Sequence, residues 1–381
     1  MSGQTEEPPE DDAWPFDSIY AGEFVWKKPP PHRWLIEQRI ERGRGVLFTG
    51  AGGSSKSRLL YHLAIGVAIG HLPWSWDVSH TGASILVMTE DTANDTWRAV
   101  WSACESMGLS DVERDLVASR LICYPLAGQT CRLLSLLPDG ELVPNSFLAG
   151  LEDVIREDGD IAFVGLDPAL GLTPGDELNQ GHQRALGKMA DDLAVRTGAA
   201  VALVAHATKA SLHSDELGSH NSRGGGAITD AVRGEFSLRT MTAKEATAAG
   251  ITDIEERKRH VQIVATKGNH LPPSAYAPVW LRRGEHGSLA EANLSFDGGA
   301  AVVTERDQRV LDVLKAMTVQ HAARLGDWRA ECLRQKCLAG TSHGAVEKDM
   351  QRSVLRLKAA GLIVHGTGKG VYLPAGSCDE A

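Results

Sequence analysis

Between an apolar run, Gly45-Val46-Leu47-Phe48, and a helical stretch, Leu59-Leu60-Tyr61-His62-Leu63-Ala64-Ile65, the chain reads Thr49-Gly50-Ala51-Gly52-Gly53-Ser54-Ser55-Lys56-Ser57. Strand, glycine-rich loop, Lys-Ser and helix in this order form a phosphate cradle. The N–H groups of the loop and of the helix N-terminus face the anion. Gly50, Ala51, Gly52, Gly53, Ser54, Ser55, Lys56, Ser57 and Arg58 are the candidate contacts, with ATP and Mg²⁺ as the implied ligands. Lys56 reaches the β/γ-phosphates and Ser57 holds the metal. One position departs from the usual pattern, which ends Gly-Lys-Ser/Thr. Ser55 stands in place of that glycine, and a serine is strained there if the backbone needs φ > 0.

Further apolar runs alternate with helical stretches. Strands are expected near 45–49, 84–89, 120–124, 161–166, 200–205, 234–239 and 260–266. The alternation implies α/β architecture, with a mainly parallel sheet flanked by helices. Three of these strands end in polar tips. Leu86-Val87-Met88-Thr89-Glu90-Asp91 offers Glu90 as a base to orient an attacking water. Ile161-Ala162-Phe163-Val164-Gly165-Leu166-Asp167 is an apolar strand ending in a second Mg²⁺ ligand, Asp167, which accepts from metal-bound water. Val201-Ala202-Leu203-Val204-Ala205-His206 ends in a histidine able to bond the γ-phosphate. Open α/β sheets bind ligands at the carboxyl ends of their strands, so these tips point to one crevice.

These segments, with Ser222-Arg223-Gly224-Gly225-Gly226-Ala227-Ile228-Thr229-Asp230-Ala231-Val232-Arg233 and Ala265-Thr266-Lys267-Gly268-Asn269, resemble the plasmid RepA-type hexameric replicative DNA helicases, a branch of the RecA-like P-loop ATPases. The resemblance covers about residues 30–285. It implies a RecA-like sheet, a homo-hexameric ring and ATP hydrolysis at subunit interfaces, coupled to movement along single-stranded DNA. Lys56, Glu90, Asp167 and His206 take the roles given above. Arg233 becomes an arginine finger reaching the neighbouring subunit's nucleotide, and Lys267 a second cation in trans. Arg184, Lys209 and Arg223, in or beside the loops after Asp167 and His206, become contacts to DNA phosphates. The alternative is a nucleotide-controlled DNA-binding regulatory protein, or a partition or recombination ATPase, that does not unwind DNA.

Five segments are expected: a Pro-rich acidic arm over 1–32 with Trp14, Phe16 and Trp26 docked, an ATPase domain over 33–295, a linker at 296–300, a small domain over 301–374 and a tail at 375–381. The small domain reads as three helices and a hairpin, an α+β pattern resembling a winged helix. Lys348, Arg352, Arg356 and Lys369 would face duplex or origin DNA. Charge supports this division. Residues 301–381 carry 12 Lys/Arg against 9 Asp/Glu, whereas the whole chain has a net charge of −10. An acidic body excludes a passive nucleic-acid coat but allows a local basic lining. Scattered cysteines, no apolar run of about 18 residues and an acidic start lead to the expectation of a cytoplasmic protein without membrane contact. Cys332, Cys337 and His343 have no zinc-knuckle spacing.

Overall fold

A computed structural model describes residues 18–206, 226–294, 296, 305–318, 323–338, 343–359, 362–365 and 371–375. The chain divides after Arg33 into two units. In the first, a single helical turn spans Ala21–Glu23. Trp26 is 88% exposed rather than docked, and Trp14 and Phe16 lie outside the described residues.

The second unit opens with β1 (Trp34–Ile36), β2 (Ile40–Glu41) and β3 (Gly45–Gly50), followed by α1 (Lys56–Ile69), β4 (Ala83–Met88), α2 (Ala93–Ser106), α3 (Asp111–Arg120) and β5 (Leu121–Pro125). A small hairpin, β6 (Leu134–Leu136) and β7 (Leu142–Pro144), leads to α4 (Ser146–Asp158), β8 (Ile161–Asp167), α5 (Gln180–Thr197) and β9 (Ala200–His206). Then come α6 (Gly226–Ala231), β10 (Gly234–Thr240), α7 (Ala243–Ala248), α8 (Ile254–Arg259), β11 (His260–Gly268), β12 (Val279–Arg283) and β13 (Leu289–Glu291). Nine of these strands form one sheet in the order β13-β12-β11-β10-β3-β9-β8-β4-β5. The run from β10 to β5 is parallel throughout, and β11, β12 and β13 extend it antiparallel. This is the mostly parallel, helix-flanked sheet expected of a RecA-like fold. All seven expected strands are present within two residues at either end.

The period-two alternation of a strand divides the core between two faces. Val46 and Phe48 of β3 and Ala202 and Val204 of β9 pack with α1 through Leu59, Leu60 and Leu63. Leu47, Val201 and Leu203 face the other way, onto Leu186, Met189, Leu193 and Ala194 of α5. Helices cover both faces, as parallel sheets require. Local signals set the helix ends. Thr92 with Asp95 and Ser110 with Glu113 form capping boxes at α2 and α3, and Asn179 caps α5 by accepting from Gly181 and His182 N–H groups. Each such cap contributes about 1 kcal/mol. Gly70, Gly159 and Gly198 end α1, α4 and α5 in the left-handed conformation.

The C-terminal segment holds α9 (Glu305–Met317), β14 (Ala323–Arg324), α10 (Leu325–Arg334), α11 (His343–Ala359), β15 (Ile363–His365) and β16 (Val371–Pro374). Its strands pair in the order β14-β16-β15. Its own core centres on Trp328, Leu314, Leu357 and Val310, and the Trp328 indole donates to the Val310 carbonyl at 2.9 Å. Cys332 and Cys337 belong to this core. Burial pushes the Cys332 thiol up to about 12, so it packs as a neutral apolar group.

Candidate nucleotide site

β3 delivers the loop and α1 carries it away. Gly50 is required by space, because a Cβ there would meet the Leu238 carbonyl oxygen at 2.3 Å and Ser54 Oγ at 2.6 Å. Gly53 has φ 72° and Ser55 has φ 72°, ψ 22°. The serine therefore occupies the left-handed region, as the sequence pattern suggested, and its hydroxyl makes no capping bond to α1. Its carbonyl accepts from Leu59 N–H at 2.9 Å, starting the helix.

Lys56 is buried. Its Nζ donates to the Gly50 and Ala51 carbonyls at 2.8 and 2.9 Å. Burial lowers its pKa, and nearby Asp167 and Glu90 oppose that shift. Asp167 ends β8 and is buried. Burial raises its carboxyl to about 6, against a hydrogen bond from Ser57 and the charge of Lys56. Asp167 Oδ2 is buried without a hydrogen-bond partner, which in a native site points to an ion or ligand not yet counted. An oxygen-donor pair of serine hydroxyl and aspartate, one oxygen unsatisfied, fits Mg²⁺.

Met88 lies level with Asp167 in the parallel pair β4–β8, which places Glu90 and Asp91 just beyond that tip. The two acids differ. Asp91 accepts from Tyr61 of α1 at 2.8 Å, while Glu90 is exposed. Asp91 is thus a strut between sheet and helix, and Glu90 is the acid left to act. His206 pairs with Gly50 across β9–β3, beside the first residue of the loop. Five expected residues, Lys56, Ser57, Glu90, Asp167 and His206, therefore share one end of the sheet.

Arg58 faces the other side of α1, where its Nη1 is buried without a partner and Gly287 approaches its Nε. One turn on, His62 bonds the Arg58 carbonyl through Nδ1 at 2.8 Å and accepts from Leu289 N–H through Nε2 at 3.1 Å. Both bonds are satisfied only by the neutral Nδ1–H tautomer. Burial lowers this imidazole to about 4.

Arg233 and Lys267 lie at the opposite end of the sheet. Arg233 N–H donates to the Gly45 carbonyl at 3.0 Å, and the β10–β3 register runs from Gly234 opposite Val46 to Leu238 opposite Gly50. At about 3.3 Å per residue, Arg233 is roughly 17 Å below its own loop. Lys267 donates to the Thr229 and Asp230 carbonyls at 2.6 and 3.2 Å, holding the end of α6. Glu235, which the sequence reading passed over, is buried between these ends and accepts from Thr49 Oγ1 at 3.1 Å. An acid inside the short run Gly234-Glu235-Phe236 was the signal available for it.

The remaining basic candidates separate. Arg184 is exposed on the first turns of α5. Lys209, Arg223 and Lys369 lie outside the described residues, and Lys348 and Arg352 are placed on α11 by backbone alone. Arg356 is a correction. Its Nε and Nη2 fork onto Asp307 at 2.7 and 2.8 Å, and Asp307 is fully buried. That guanidinium neutralises an internal carboxylate instead of facing phosphate.

A glycine-rich loop between a parallel strand and a helix, with an aspartate-tipped strand beside it, defines a P-loop nucleotide-binding α/β protein. The chain belongs to the AAA domain family, which it matches over residues 11–211. No curated protein matches it in sequence. Among solved structures, a helicase ATPase domain superposes with a TM-score of 0.48 at 10% identity, covering 66% of this chain and 86% of that one. The RadB recombinase gives a TM-score of 0.41 at 14% identity, covering 67% of this chain and 93% of that one. Among the described residues no helix is long and apolar enough to cross a membrane.

Proposed function

We propose that this protein is an ATP-hydrolysing DNA translocase or helicase of the RepA type, assembling as a homo-hexameric ring on single-stranded DNA. The observation that carries the reading is the separation of two half-sites. Lys56, Ser57, Glu90, Asp167 and His206 stand at one end of the sheet. Arg233 and Lys267 stand at the other, too far to serve their own loop.

ATP would lie in the loop with its phosphates on the N–H groups of residues 51–57 and on Lys56, whose Nζ must turn from the Gly50 and Ala51 carbonyls to do so. Ser57 and Asp167 would hold Mg²⁺, which neutralises phosphate charge when bound. Glu90 would orient water and accept its proton, and His206, level with Gly50, would bond the γ-phosphate. Arg233 from the neighbouring subunit would stabilise the charge of the transferring phosphoryl group. Lys267 joins it as a second trans cation only by leaving the α6 carbonyls. DNA would follow Arg184 and the segment 207–225, with the C-terminal segment, a winged helix in this reading, holding duplex.

The test mixes subunits. Arg233→Ala is expected to bind ATP and assemble but to lose roughly 10³-fold or more in turnover. Lys56→Ala is expected to lose ATP binding. Mixed rings regain activity, because some interfaces pair an intact loop with an intact finger. Mixed rings that form yet stay inactive would remove the trans reading. Strand displacement on a forked substrate separates a helicase from a nucleotide-controlled regulator, which would hydrolyse ATP and displace nothing.

A further inference from the structure

The start of β3, the middle of α5 and the start of β10 meet closely. A Cβ on Gly45 would lie 3.0 Å from the Asp191 amide nitrogen and 3.1 Å from its Cα. Only glycine lets strand and helix approach this far. Asp191 uses the approach twice. Its Oδ1 accepts from Gly45 N–H at 2.9 Å, and its Oδ2 lies 3.7 Å from Arg233 Nε. Gly45 in turn accepts from Arg233 N–H. Backbone and side chain of Arg233 are therefore referenced to the same two residues.

The exposures are unequal in a telling way: the Asp191 side chain is 13% exposed and that of Arg233 52%. The acid is built into the protein, and the arginine leaves it outward. The approach is through Nε, so the two terminal nitrogens remain available to fork a phosphate. Asp191 also balances a second cation, since its charge supports that of Lys267, which Arg233 opposes. Without it two neighbouring cations would face each other with less compensation.

We infer that Asp191 is the positioning residue of the Arg233 finger: its carboxylate holds Nε and presents the terminal nitrogens to the phosphate of a neighbouring subunit. This rests on the trans reading above. Asp191→Asn is the probe, because the amide oxygen keeps the Gly45 bond while the charge goes. The expected result is turnover down about tenfold with KM for ATP within twofold, a loss of about 1.4 kcal/mol in transition-state stabilisation. Asp191→Glu, which keeps the charge, recovers most of the rate. In single-turnover assays the Asn change has no further effect in an Arg233→Ala background. In mixed rings Asp191→Asn is rescued by Lys56→Ala subunits and not by Arg233→Ala subunits.

Wild-type turnover in Asp191→Asn beside a slow Arg233→Ala overturns the positioning role and leaves the finger standing. An Asn effect as large without Arg233 as with it, or a Glu variant as slow as Asn, also overturns it. Wild-type turnover in Arg233→Ala removes the finger, and the inference with it.

Discussion

Ser55 offers the sharpest test of how the loop is built. It holds φ 72° in the position where the usual pattern has glycine. An L-residue in the left-handed region costs about 1–2 kcal/mol relative to the right-handed one. The hydroxyl returns nothing to α1, since it makes no cap bond. Replacing Ser55 with glycine removes the steric cost but adds roughly 0.5–1 kcal/mol of chain entropy in the unfolded state. The balance for Ser55→Gly is thus about 0 to 1 kcal/mol of stabilisation. Ser55→Ala keeps the strain and loses an unused hydroxyl, so it stays within about 0.5 kcal/mol of wild type. Ser55→Val adds β-branching to the same backbone and loses on the order of 1 kcal/mol or more. Urea unfolding of the series, with ATPase rates alongside, reads both quantities. The stability order is Gly at or above Ser, Ser near Ala, and Val lowest, and Ser55→Gly hydrolyses ATP at the wild-type rate or faster. A large loss of rate in both Gly and Ala variants would refute the reasoning, because it would show that the hydroxyl has a catalytic or binding task of its own.

Two further outcomes are expected. Glu90→Gln keeps the shape of the exposed acid but not its basicity, so ATP affinity holds while turnover falls by on the order of a hundredfold. Unchanged turnover would transfer the role to another group. His62 is lowered to about 4 by burial, against about 6.5 in the unfolded chain. Above pH 6.5 both states are neutral there. As pH falls below 6.5 the unfolded state takes up a proton that the native state refuses, so stability declines until about pH 4. The share of this one group is about 2 kcal/mol between pH 7 and pH 5, read as the difference in pH dependence between wild type and His62→Gln. Parallel curves for the two proteins would sink it.

The parts of the fold that were legible before the structure are those written in contiguous residues. Seven buried strands appear as apolar runs, and the capping pairs at Thr92 and Ser110 mark helix starts in the plain order of the chain. What stayed hidden was short or solvent-facing. β12, Val279-Trp280-Leu281-Arg282-Arg283, is half basic, and β6 and β7 are three residues each. Such segments carry too few apolar positions for a period to emerge. Charged partners were hidden for a different reason. Arg356 finds Asp307 across 49 positions, and Asp191 finds Gly45 across 146. An arginine on an amphipathic helix looks the same from the sequence whether it meets solvent, phosphate or a buried carboxylate.

The half-sites show the same limit with more consequence. Both are visible as motifs, yet chain order does not say that they sit at opposite ends of one sheet. The register does. β10 runs parallel to β3, so Arg233, at its amino end, is level with Gly45, while the phosphate loop begins only at Gly50. An antiparallel β10 would have put the residue before Gly234 beside the loop and made a finger in cis possible. With the parallel register, any role for Arg233 at a γ-phosphate requires a second copy of the chain. Catalysis then depends on assembly for a geometric reason. A lone subunit keeps ATP, Glu90 and the metal ligands together, but the arginine that would complete the site points away from them.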